Sequence, residues 1–196
     1  MIVTADEVNR SFKGALDLLN SRVEGLRAFD MSERGFWRSF AALWLTLPAY
    51  IVSIAIERLR LGLLSPNHPL LDSFQIDVVV ALGQLASFLA LPIVMIWGTR
   101  QLRLTHRYVP FVIVMNWINV IAMLVMSVPY MLLLLGWATP PLAGLFSLAF
   151  FVIVLRAQWF ATKATLGLPG LAAFGIVTLG VTLNSLIDTL MRALLT

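Results

Sequence analysis

The sequence predicts an all-α integral membrane protein: a bundle of five transmembrane helices preceded by an amphipathic cytoplasmic helix. Three observations predict it. Pro110–Ala138 runs for 29 residues without a Lys, Arg, Asp, Glu or His, and about 18 apolar residues already make a candidate bilayer span. The hydrophobic fraction is 60% and the charged fraction 12%, against roughly 45–50% and 25% in soluble domains. The charges are also segregated, with eight of the 14 Lys/Arg and seven of the ten Asp/Glu in the first 60 residues. The chain divides into a helical segment, 1–35, and a membrane domain, 36–196. Expected spans are 36–56, 74–98, 110–132, 142–161 and 171–190.

Residues 1–35 lack the apolar stretch of a signal peptide, so insertion through the protein's own spans is expected. Thr4-Ala-Asp-Glu7 fits a capping box. Val8, Phe12, Ala15, Leu19, Val23 and Leu26 follow at three- and four-residue steps, one stripe of a helix, with a break expected near Asn20-Ser21. Such a helix can lie on the membrane surface, pack under the bundle or take a partner. Asp30-Met-Ser-Glu33 offers a second capping box. The first span follows, with Trp37 and Arg38 expected at the interface and Pro48 expected to kink it by freeing the Trp44 carbonyl.

A first loop, Glu57–Gln75, contains the turn signal SPNHP at 65–69. The second span starts near Asp77, whose carboxylate suits a helix N-terminus. It carries Gln84 inside, a Gly83/Ser87 pair for close helix contact, and Pro92 near its end. The loop TRQLRLTHRY at 99–108 is basic. The third span must tilt, kink or end at Pro129 to use its length. The fourth carries Arg156 and Gln158 near its end, and the fifth Asn184 and Asp188.

Charge sets the expected topology. With an inside N-terminus, Arg10, Lys13, Arg22, Arg27, Arg34, Arg38, Arg100, Arg103, Arg107, Arg156 and Lys163 fall inside. Only Arg58, Arg60 and Arg192 fall outside. The net charge of +4 is therefore a topology signal rather than a nucleic-acid footprint. No nucleic-acid partner is expected; the lipid bilayer is, together with other membrane subunits or further copies of the chain.

Polar side chains in hydrocarbon are unfavourable enough that each needs a reason. Asp77, Asn184 and Asp188 form an outer layer; Asn116, Asn119, Arg156 and Gln158 form an inner one. For Asp188 an ion pair with Arg192, four residues on, is expected. Asn116 and Asn119 share a helix face and suit bonds between helices. Arg156 suits headgroups or a polar cluster with the two asparagines. Asp77, Gln84, Asn116, Asn119, Arg156, Asn184 and Asp188 are thus the candidate ligand positions.

No Cys is present, and the two His, His68 and His106, both lie in loops. No HExxH, P-loop or GxSxG occurs. No enzyme, metal site or cofactor is expected.

A helical N-tail, five closely spaced spans with short loops and a C-terminus on the far side together resemble the Yip1-like family over about residues 5–196. GFWRSF (35–40) stands where eukaryotic members carry an acidic segment with Gly-Pro. The resemblance implies a non-enzymatic membrane protein acting through lateral contacts. An accessory subunit of a membrane complex fits the same pattern, and a small transporter or channel component is the alternative. The compact, charge-poor chain suits a bacterial inner membrane, N-terminus cytoplasmic and C-terminus outside. A reporter enzyme active only outside the cytoplasm, fused after Thr196, is expected to be active; activity of a cytoplasm-only reporter there would refute the five-span count.

Overall fold

A computed structural model describes residues 4–64 and 73–195; His68 and the expected SPNHP turn lie outside the described residues. The described chain is helical, without a strand. α1 covers Ala5–Leu19 and a 3₁₀ turn Val23–Ala28. α2 (Glu33–Ala41), a 3₁₀ segment (Ala42–Thr46) and α3 (Leu47–Leu64) form one rod. α4 is Phe74–Gln101, α5 Tyr108–Leu134, α6 Pro140–Leu166 and α7 Gly170–Ala193. The α2–α3 rod and α4 to α7 are five helices long and apolar enough to cross a bilayer. This is the make-up of a multi-pass membrane protein.

The five run alternately up and down. Asn119 of α5 meets Gln158 of α6 and Met115 meets Thr162, an antiparallel pair. Gly83 and Leu91 of α4 meet Met191 and Gly180 of α7 in reverse order. α5 stands in the middle and is packed by α1, α2, α3, α4 and α6. Residues Phe111 to Ile118 are buried without a gap, which fits a helix apolar all round. α7 packs on α4 and α6 at the periphery.

Proline positions are resolved differently from one another. Pro48 sits in the first turn of α3, where its missing amide is not needed. The irregularity it imposes is the 3₁₀ segment just before it. Pro129 lies inside α5, which continues to Leu134, so 110–138 carries one helix and not two. The first rod outruns its expected span: Glu57, Arg58 and Arg60, expected in a loop, occupy the last turns of α3.

The N-terminal segment folds back as a hairpin. The Thr4 hydroxyl accepts the Glu7 amide at 3.3 Å. α1 ends at Leu19 and Ser21 takes a left-handed φ of 61°, so the expected break is present. Val23, assigned to the apolar stripe by spacing, is exposed because this turn removes it from the helix. Gly14 and Gly25 let the two arms touch: a Cβ on Gly25 would lie 2.5 Å from the Gly14 carbonyl oxygen. Inward-facing Ala15, Leu18 and Phe29 join the main core, and Phe12 packs edge-on to Trp117 of α5 at 6.1 Å. α1 thus packs against α5 and α6 of the bundle.

The turn into α2 departs from the second capping box. Ser32, not Asp30, is the cap, accepting the Gly35 amide at 3.2 Å. Asp30 instead accepts the Ser32 amide at 3.0 Å. The Ser32 hydroxyl first, then its amide, hold the Asp30 carboxyl below the ordinary carboxylate range. A depressed folded-state pKa contributes stability above the unfolded value and loses it as pH falls through the folded one. In its charged form the Asp30 carboxylate therefore holds the Ser32 amide throughout neutral and mildly acidic solution.

Gly25→Val is expected to open the hairpin, seen as new protease cleavage between residues 19 and 30 with the five helices intact. Gly144→Ala and Gly175→Ala, whose added Cβ would meet nothing within 4 Å, are expected to leave the melting temperature unchanged or slightly raised.

Candidate functional site

The polar side chains fall into three groups. The first joins the hairpin to the bundle. Glu7 is buried, and its carboxylate accepts from Arg38 Nη1 at 3.0 Å. The expected reciprocal cap from Glu7 to the Thr4 amide gives way to this longer-range pair, because α2 brings the Arg38 guanidinium within reach of α1. Arg156, on an exposed stretch of α6, donates to the Ser21 hydroxyl at 3.0 Å.

The second group joins spans to α5. Asn116 is fully buried and donates to the Ser39 hydroxyl at 3.0 Å, which in turn donates to the Phe36 carbonyl at 2.7 Å. Gln158 donates to Asn119 Oδ1 at 3.0 Å. Asn116 Oδ1 and Arg38 Nε have no partner among the described residues. Arg156 joins neither asparagine, so the expected Arg156–Asn116/Asn119 cluster does not form: α6 carries Gln158 to the buried side and Arg156 to the outside.

The third group lies at the opposite end of the bundle. Asp77 sits in the first turn of α4, but Ser73 is the cap, accepting the Gln75 amide at 3.0 Å. Asp77 binds Arg58 Nη2 at 2.7 Å instead, and its carbonyl accepts from the Tyr50 hydroxyl at 2.8 Å, clamping α3 to α4. Glu57, nearly buried, accepts from Arg60 Nε at 2.8 Å and also from Nη2. Asp188 accepts from Arg192 Nε at 2.9 Å, the i,i+4 pair expected from spacing. Two of these pairs line a cavity of about 570 Å³ between α3, α4, α5 and α7: Glu57–Arg60 and Asp188–Arg192. Gln84, Ser53 and Ser87 lie along its wall, and Gln84 donates a long contact of 3.8 Å to Met123 Sδ.

Of the seven candidate positions, the fold brings Gln84 and Asp188 to this cavity. Asp77 is held beside Arg58, Asn116 and Asn119 are consumed in packing, and Arg156 lies on the hairpin side. Asn184 is exposed on α7, away from Asp77, so Asp77, Asn184 and Asp188 do not make one site. Glu57, Arg60 and Glu7 were missed. Glu57 follows an unbroken apolar run and stands three residues before Arg60; that spacing on a continued helix was the available signal. No group of three or more His, Asp or Glu suited to a metal ion occurs among the described residues.

Comparison with known proteins finds no family model, no curated protein and no solved structure that matches this chain.

Removing one partner of the Glu7–Arg38 pair leaves the other charge uncompensated in a partly buried place, a loss of roughly 2–4 kcal/mol. Glu7→Ala and Arg38→Ala are each expected to destabilise by about that much. The double variant should lose much less than the sum, read from denaturation in mild detergent. Additive losses would show that the pair is not coupled.

Proposed function

We propose that the chain is a multi-pass membrane protein with its hairpin in the cytoplasm and its C-terminus outside, acting without catalysis through lateral contacts. The architecture is of the Yip1-like kind. The observation that carries this reading is where the polar groups end. The cavity's α5 lining begins at Met123, and from Ala122 back to Phe111 every α5 residue but Asn119 is buried. Asn119 itself is spent on Gln158. A transport path would need polar stations continuing through that half; here they serve as ties between helices. That use of the polar groups favours lateral contact over transport.

Lateral contact draws on a second observation. Asn184 lies roughly 21 Å along α7 from Gly170, exposed and without a partner among the described residues. Beside it Gly175, Thr178, Thr182, Ser185 and Thr189 repeat at three and four residues on the exposed face. Thr182 and Thr189 return their hydroxyls to their own backbone at 2.9 and 2.8 Å, leaving a smooth, narrow seam. An amide facing hydrocarbon at mid-span is unfavourable, whereas small residues let backbones approach and an amide can bond across the contact. An asparagine is both donor and acceptor, so a second copy of this chain complements it.

The chain has no cysteine, which makes single-cysteine variants clean probes. Thr182→Cys is expected to give a disulfide-linked dimer on mild oxidation in native membranes, and Ile153→Cys, on the exposed face of α6, is not. A monomer in mild detergent with no cross-link at 182 would sink this reading.

A further inference from the structure

The geometry points to the cavity between α3, α4, α5 and α7 as a binding site for a zwitterionic amphiphile, a phospholipid whose head carries both a phosphate and a primary ammonium. The inference rests on the membrane residence proposed above but not on the α7 contact.

Three features carry it. The first is charge. The lining holds two carboxylates and two guanidiniums, Glu57, Asp188, Arg60 and Arg192, and Asp188 also lies within Coulomb reach of Arg60. The wall is neutral overall, so a lone cation or lone anion would leave one sign uncompensated. A ligand bearing both signs leaves none.

The second is unfilled bonding capacity. Among the described residues Arg192 spends only Nε, on Asp188, and its two terminal nitrogens have no other partner. Among the same residues Arg60 spends Nε and Nη2 on one oxygen of Glu57, leaving Nη1 and the other carboxylate oxygen. Guanidinium forks suit phosphate oxygens. Carboxylate oxygens accept N–H donors, which a primary ammonium has and a quaternary ammonium lacks. The ammonium-bearing head is therefore preferred over choline.

The third is shape. About 570 Å³ is within the range of small-molecule sites. On α4 the lining runs from Val79 to Ser87, roughly 12 Å, and Gly83 stands level with Met191, so Asp188 and Arg192 flank the same stretch of wall. Apolar Val80, Met123 and Ile187 share that wall. Charged groups beside an apolar wall match a headgroup and the start of its acyl chains.

The test uses the full chain in nanodiscs of phosphatidylethanolamine, phosphatidylglycerol and phosphatidylcholine in equal parts, followed by native mass spectrometry of retained lipid. Wild type is expected to retain phosphatidylethanolamine over either of the other two lipids by about tenfold, the factor that 1.4 kcal/mol represents. Asp188→Asn removes one ammonium acceptor and unmasks Arg192, so selection should move towards phosphatidylglycerol. Ser87→Leu fills the cavity without changing a charge and should abolish selection; Ser53→Leu serves if that variant does not fold. Retention in bulk proportion by wild type, or selection of phosphatidylglycerol by wild type, overturns the inference. A chain that never enters the membrane fraction fails the proposed function as well; unselective retention by an inserted chain fails the lipid site alone.

Discussion

The first half of α5 has no face left to show. From Phe111 to Ile118 every residue is covered, so each neighbouring element is placed by where it meets this helix. The consequence differs from that in a water-soluble core. Between spans in a bilayer, burying apolar surface gains little, because lipid tails are as apolar as leucine. Close packing and bonds between helices must hold them. The described structure puts those bonds on α5: Asn116 to Ser39 on one side and Asn119 to Gln158 on another. At roughly 0.6–2 kcal/mol each, they give direction to contacts that dispersion alone would leave free to slide.

The polar inventory divides by depth. On the hairpin side, bonds are spent on joining elements, and the inward-facing acid of α1 finds its base in Arg38. At the far end, pairs stay within one helix or bridge neighbours, and two of them border open space. The bundle is thus tied by side-chain bonds on one half and borders a cavity on the other.

Composition and run length made the five long helices legible, because any span must carry an unbroken apolar stretch. The expected alternation of the spans rested on the Lys/Arg bias. The Asp188–Arg192 pair was legible because both residues lie on one helix, four apart. What spacing could not show was pairing between helices. Glu7 looked like half of a cap because its partner, Arg38, is distant in sequence. Glu57 looked like a loop because a charge after an apolar run usually marks an interface, and only the continuation of α3 buries it. Asn116 and Asn119, three apart, share a face, yet they serve different helices: Ser39 lies on α2 and Gln158 on α6.

The five 3₁₀ residues before Pro48 have a geometric effect on the rod they interrupt. A 3₁₀ residue turns through about 120° and rises about 2.0 Å, against about 100° and 1.5 Å in an α-helix. Over Ala42–Thr46 the difference amounts to about 100° of rotation and some 2.5 Å of length. The segment therefore works as a phase shifter. It sets the azimuth of α3 independently of α2, so that one rod can present Ser39 to Asn116 at one end and Glu57 with Arg60 to the cavity at the other.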